Sequence, residues 1–61
     1  MLEWKVRKSK KLGKNVLYIF ELPTGCFYVI EYDENENIIQ ARFHHYWIDS
    51  LHDFNRIRRN K

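Results

Sequence analysis

Sixty-one residues with a net charge of +3, 44% hydrophobic and 31% charged, describe at most one small domain of ordinary globular composition. The longest apolar stretches run to about five residues, against the roughly 20 that a membrane span needs, so a membrane partner is excluded. Cys26 is the only cysteine, which excludes an internal disulfide. A free thiol and an N-terminus without an apolar leader lead us to expect a cytoplasmic chain.

A chain of this length buries only about 60% of the surface that it exposes when unfolded. Ten aromatic residues, each able to bury roughly 150–250 Å², are the means by which so small a core can hold. The charge is segregated. Residues 1–14 carry +5, residues 15–55 carry −6 and residues 56–61 carry +4. Both ends are basic and the middle is acidic, so the fold has two basic poles, or one if the ends meet.

Leu2-Glu3-Trp4-Lys5-Val6-Arg7-Lys8 alternates apolar and polar, the period of a half-buried strand with Leu2, Trp4 and Val6 inward. Ser9 to Asn15 is polar, includes Gly13, and reads as a turn or exposed loop. Residues 16–22 and 26–32 are β-branched and aromatic and read as strands. Leu22-Pro23-Thr24-Gly25 between them fits a type I turn closed by a left-handed glycine. Residues 33–37 form a polar loop, and residues 38–45 a further strand in which Ile39, Ala41 and Phe43 share a face. The period then becomes helical, with Trp47, Leu51, Phe54 and Arg58 in line over residues 47–59 and Asp49 or Ser50 as N-cap. The expected fold is α+β: a three- or four-stranded antiparallel β-meander with one C-terminal α-helix packed on one face, a single small domain over 1–61.

Pairing Leu22 with Cys26 writes out the faces of the central hairpin. One carries Val16, Tyr18, Phe20, Tyr28, Ile30 and Tyr32. The other carries Leu17, Ile19, Glu21, Phe27, Val29 and Glu31. Both are substantially apolar, and one helix covers only one of them. The aromatic-rich face is assigned to the core beneath the helix. Leu17, Ile19, Phe27 and Val29 then form an uncovered patch that curls onto strand 1, meets a second subunit or binds a partner.

Catalytic signals are weak. His44 and His45 are adjacent on a strand and point to opposite faces, so they do not jointly hold a metal. His52 beside Asp49 or Asp53 is a pairing that any helix surface offers. Cys26 reads as a small buried hydrophobe, since nothing in the sequence specifies a base for it. Asp33, Glu34 and Glu36 lack the glycine and terminal glutamate of a calcium loop. With two glycines there is no phosphate-cradling loop, and 61 residues leave little room for a cleft of about 300 Å³. No catalytic residue, metal or cofactor is expected, and the chain is read as non-enzymatic.

The basic ends are the strongest functional feature. Lys5, Arg7, Lys8, Lys10, Lys11 and Lys14 line the first strand and its loop. Arg56, Arg58 and Arg59 join them if the helix end lies nearby. Such residues supply salt-dependent contacts to phosphate, so the first expectation is binding of DNA or RNA. Glu21 and Glu31 are expected to repel a phosphate backbone from the sheet face itself. The alternative is a small protein-binding inhibitor or regulator of phage or mobile-element type, acting on a host or defence enzyme through Leu17, Ile19, Phe27 and Val29. A homodimer is compatible with both.

The order of strand, hairpin, strand and helix with basic loops resembles the small three-stranded DNA-binding domains at the N-termini of some integrases. It is loosely similar to chromodomain-type modules. The likeness lies in element order over the whole chain and assigns no role to any residue.

Overall fold

The computed structural model describes residues 3–58. Leu2, expected in the first strand, and Arg59, expected among the phosphate contacts, lie outside them. Four strands, β1 (Lys5–Leu12), β2 (Asn15–Glu21), β3 (Phe27–Tyr32) and β4 (Ile38–His44), precede one helix, α1 (Trp47–Arg56). The strands form one open antiparallel sheet in the order β1-β2-β3-β4, so the fold is the expected α+β arrangement. Among the described residues no helix is long and apolar enough to cross a membrane.

The first strand runs four residues further than its composition suggests. Ser9, Lys10 and Lys11 pair with Tyr18, Leu17 and Val16, and only Gly13 and Lys14 turn the chain. Gly13 takes a positive φ of 67°, as the first position of a tight two-residue hairpin requires. A run of lysines is the composition of an edge strand, where charge discourages pairing with another sheet. Its polarity therefore marked an edge and not a loop.

The other two turns share one build. In the first, Leu22 N–H donates to Cys26 O at 2.9 Å and Gly25 N–H to Leu22 O at 3.0 Å, with Gly25 at φ 89°. This is the predicted hairpin with its predicted register. In the second, Asp33 N–H donates to Asn37 O at 2.9 Å and Glu36 N–H to Asp33 O at 3.0 Å. Here Glu36 occupies the left-handed position, at φ 65°. Asp33 Oδ1 accepts from the backbone N–H groups of Asn35 and Asn37, which ties the turn together.

The helix begins earlier than its capping residues imply. Tyr46 is the N-cap and supplies no side-chain bond. Ser50, proposed as a cap, is fully buried inside the helix, and its Oγ donates to Trp47 O at 2.7 Å. A small side chain there lets the helix lie close on the sheet. At the other end Ile57 is extended and its N–H closes on Asp53 O, so the helix stops short of residue 59.

The helix covers the face opposite to the one assigned from the sequence. Leu12, Leu17, Ile19, Phe27 and Val29 form the core with Phe54, and Leu51 and Ile57 pack at its border. Leu17, Ile19 and Val29 have no solvent exposure. The patch proposed as a protein interface is therefore the core, and Leu17, Ile19 and Val29 present no surface to a partner. The physical reason lies in polar atoms. Tyr18, Tyr28 and Tyr32 stand on the other face, and burying their hydroxyls beneath a helix would require a partner for each, whereas Leu, Ile and Val carry none.

Candidate nucleic-acid interface and the open sheet face

Alternation along β1 sends Lys5, Lys8 and Lys10 to the helix side, where they pair with Glu21, Ile19 and Leu17 of β2. Arg7 occupies an irregularity between Val6 and Lys8 and binds Glu21 at 3.3 Å. Lys10 caps the end of the helix: its Nζ donates to Phe54 O at 2.7 Å and lies 4.7 Å from the centre of the Phe54 ring. Lys8 stands over the same ring at 5.6 Å. Burial of the Lys10 ammonium, with the charges of Arg58 and Lys8 close by, lowers its pKa from the ordinary value. The two basic segments thus meet, and Arg58 joins the β1 lysines at one pole.

The remaining cations divide. Lys11 pairs with Val16 and so stands on the opposite face, and Lys14 sits in the turn. Lys14 and Arg58 border a hollow whose floor is Glu31. Arg56 is not part of the pole, because it donates to Asp53 Oδ1 at 2.6 Å. Ion pairs among the described residues are made by Arg7, Arg42, His44 and Arg56; Lys5, Lys8, Lys10, Lys11, Lys14 and Arg58 enter none.

Asp53 is the buried hub of the helix side, 3% exposed. Its Oδ2 accepts from Arg42 Nε at 2.6 Å and from His44 Nε2 at 2.8 Å. Burial alone would raise its pKa. Hydrogen bonds from His44 and Arg56 and the charge of Arg42 outweigh burial, and the pKa falls below the usual carboxylate range. Glu31, also buried, has its two oxygens held by Asn15 Nδ2 at 2.7 Å and Gln40 Nε2 at 2.8 Å. Asp53 ties β4 to the helix, and Glu31 ties β2, β3 and β4 to one another. Neither Asp53 nor His44 carried a signal beyond local spacing, and the histidine paired with Asp53 is His44, not His52. Among the described residues no three His, Cys, Asp or Glu side chains gather to hold a metal ion. Cys26 is half-buried, and its Sγ lies 3.7 Å from His45 Nδ1, a neighbour that sequence spacing did not suggest.

The open face is a continuous aromatic surface. Trp4 stacks on Tyr28 at 5.3 Å and tilts against Phe20 at 5.9 Å. Tyr28 meets Phe43 edge-on at 5.2 Å, and Tyr18, Phe20 and Tyr32 form a second cluster. Phe43 and Ala41 pair with Tyr28 and Ile30, which confirms that β4 turns its apolar side this way. Ile38 and Ile39 stand across from Tyr32 at a bulge, both exposed. Glu21 and Glu31 belong to the helix side, on the same face as Leu17, Ile19, Phe27 and Val29, as the hairpin register placed them. A hollow of about 510 Å³ opens here between Lys14 and the Asp33–Glu36 turn, larger than the chain length suggested.

Comparison of the chain with protein-family models, curated proteins and solved structures found no match.

Proposed function

We propose that the protein is a small non-enzymatic nucleic-acid-binding protein that grips phosphate through the helix side of β1 and the end of α1. The meeting of the two basic segments carries this reading. Arg58 lies beside Lys10 and Lys8, and none of the three is neutralised by an acid among the described residues. Lysines two apart on a strand repeat every ~6.7 Å on one side, a row suited to following a charged backbone. The Lys8 and Lys10 ammonium groups both stand over the Phe54 ring, which lies beneath that row. Lys5, Lys8, Lys10 and Arg58 form the centre of the interface, and Lys14 extends it across the hairpin turn. Arg56 is committed to Asp53 and contributes nothing.

Fluorescence anisotropy with labelled DNA and RNA, duplex and single-stranded, tests the proposal. Four phosphate contacts should weaken binding by about a hundredfold between 50 and 200 mM salt. Replacing Lys5, Lys8 and Arg58 together by Glu should abolish binding at the lower salt. No binding by the unaltered chain at 50 mM salt, or binding untouched by the triple substitution, would overturn it.

A further inference from the structure

We infer that the open aromatic face is where a second copy of this chain packs, about a two-fold axis that runs parallel to the strands. This does not depend on the nucleic-acid reading. The face is apolar on β2, β3 and β4, and β1 adds Val6 at its Trp4 end, beside the polar Ser9 and Lys11. Val6 on β1 and Ile38, Ile39 and Phe43 on β4 are each about half-exposed. A phosphate backbone laid there would meet cations at one corner, Lys11 and Lys14, and acids at the next, Glu34 and Glu36. Aliphatic rims and a mixed-charge end suit a protein surface.

The charges select which protein. In a four-stranded meander the β1–β2 and β3–β4 turns lie at the same end of the sheet. The basic corner and the acidic turn therefore sit side by side at that end, one over β1–β2 and the other over β3–β4. Two such faces brought together about an axis along the strands lay β2 of one protomer across β3 of its partner. Lys11 and Lys14 of each protomer then meet the acidic turn of the other, twice by symmetry. An axis across the strands would set this end against the Trp4 end and leave both corners unmatched. A self-complementary pattern is what an isologous interface needs, and the strand-parallel arrangement alone satisfies it.

Sedimentation equilibrium of the full chain and of two paired variants tests this. The unaltered chain should be dimeric at micromolar concentration. Lys11→Glu with Lys14→Glu, and separately Glu34→Lys with Glu36→Lys, should each weaken self-association by at least about tenfold through like-charge contact. Mixing the two variants should restore a 1:1 dimer, since both corners are then matched between protomers. A control mixture pairs the Glu34→Lys, Glu36→Lys variant with a chain carrying Lys5→Glu and Lys8→Glu, the same change in net charge on the helix side. With one corner matched and the other opposed, its hetero-association should be clearly weaker than that of the first mixture. A monomeric unaltered chain at 100 µM would overturn the inference, as would failure of the mixture to dimerise or equal recovery in the control. A monomer whose Trp4 fluorescence is quenched by a short single-stranded oligonucleotide would assign the face to unpaired bases instead.

Discussion

The two faces of one sheet meet opposite demands. On the helix side the central strands present Leu17, Ile19 and Val29, all fully buried, and the outer strands present polar groups. Several of those polar groups are matched: Arg42 and His44 with Asp53, Gln40 with Glu31, Lys10 with the last turn of the helix. On the open side β4 is as apolar as the inner strands, β1 adds Val6 beside its polar Ser9 and Lys11, and Trp4 and Phe43 remain about half-exposed. A helix some ten residues long covers two strands, so the flanking strands beneath it have to be polar. A surface that covers all four strands allows apolar residues out to the rims. The exposed Val6, Ile38, Ile39 and Phe43 at the rims of the open face fit the proposed second copy, which is wider than a helix.

The largest difference between the faces should appear on introducing a charge. Phe27→Asp buries an unpaired carboxylate in the core of a chain whose whole stability is roughly 3–5 kcal/mol. It should unfold the protein, as judged by far-ultraviolet circular dichroism. Ile39→Asp on the open face should leave the spectrum intact and abolish only self-association. Asp53→Ala comes next. It strips Arg42, His44 and Arg56 of their shared acceptor and should cost about 3 kcal/mol in urea unfolding.

The same carboxylate governs acid stability. Its pKa is depressed in the folded state, so its contribution is complete above the unfolded carboxyl value of about 3.9. That contribution is lost as the pH falls through the lower folded value. Hydrogen bonds from the backbone N–H of Asn37, with further bonds from the Asn37 side chain and Asn35 N–H, depress Asp33 as well, so it adds to the same slope from the open-face end. Asp53→Asn should flatten the loss of stability below pH 4, and Asp33→Asn should flatten it less.

The smallest effect separates folding from association. Glu36 holds the left-handed position that Gly25 holds in the sister turn. Glu36→Gly should raise the stability of the monomer by about 1 kcal/mol, by relieving backbone strain. It should also weaken self-association, by removing part of the acidic corner. Urea unfolding at two protein concentrations would separate the two changes.

The strands, the hairpin register and the apolar character of both faces were legible because alternation and turn chemistry act locally. Ile39, Ala41 and Phe43 share a face by period alone, and Pro23-Thr24-Gly25 dictates its turn. The choice of face was not local. It depends on what the outer strands put beside the helix, and β4 held the clue: Gln40, Arg42 and His44 alternate with the apolar set and so face the helix. Those polar groups find partners only where buried acids wait, and Asp53 became such an acid through tertiary packing rather than any motif. The end of β1 was hidden for a related reason, since an edge strand whose lysines lie over Phe54 reads in sequence as a solvated loop.

Mapping of backbone amide shifts during titration with a short DNA duplex tests the division of labour between the faces most directly. The shifts should concentrate in Lys5–Lys10 of β1 and at Ile57 and Arg58, with Lys14 responding at the hairpin turn. Residues Ile38–Phe43 should stay unperturbed. Perturbations centred on Trp4, Tyr28 and Phe43, with β1 and the helix end silent, would contradict the assignment of phosphate to the helix side.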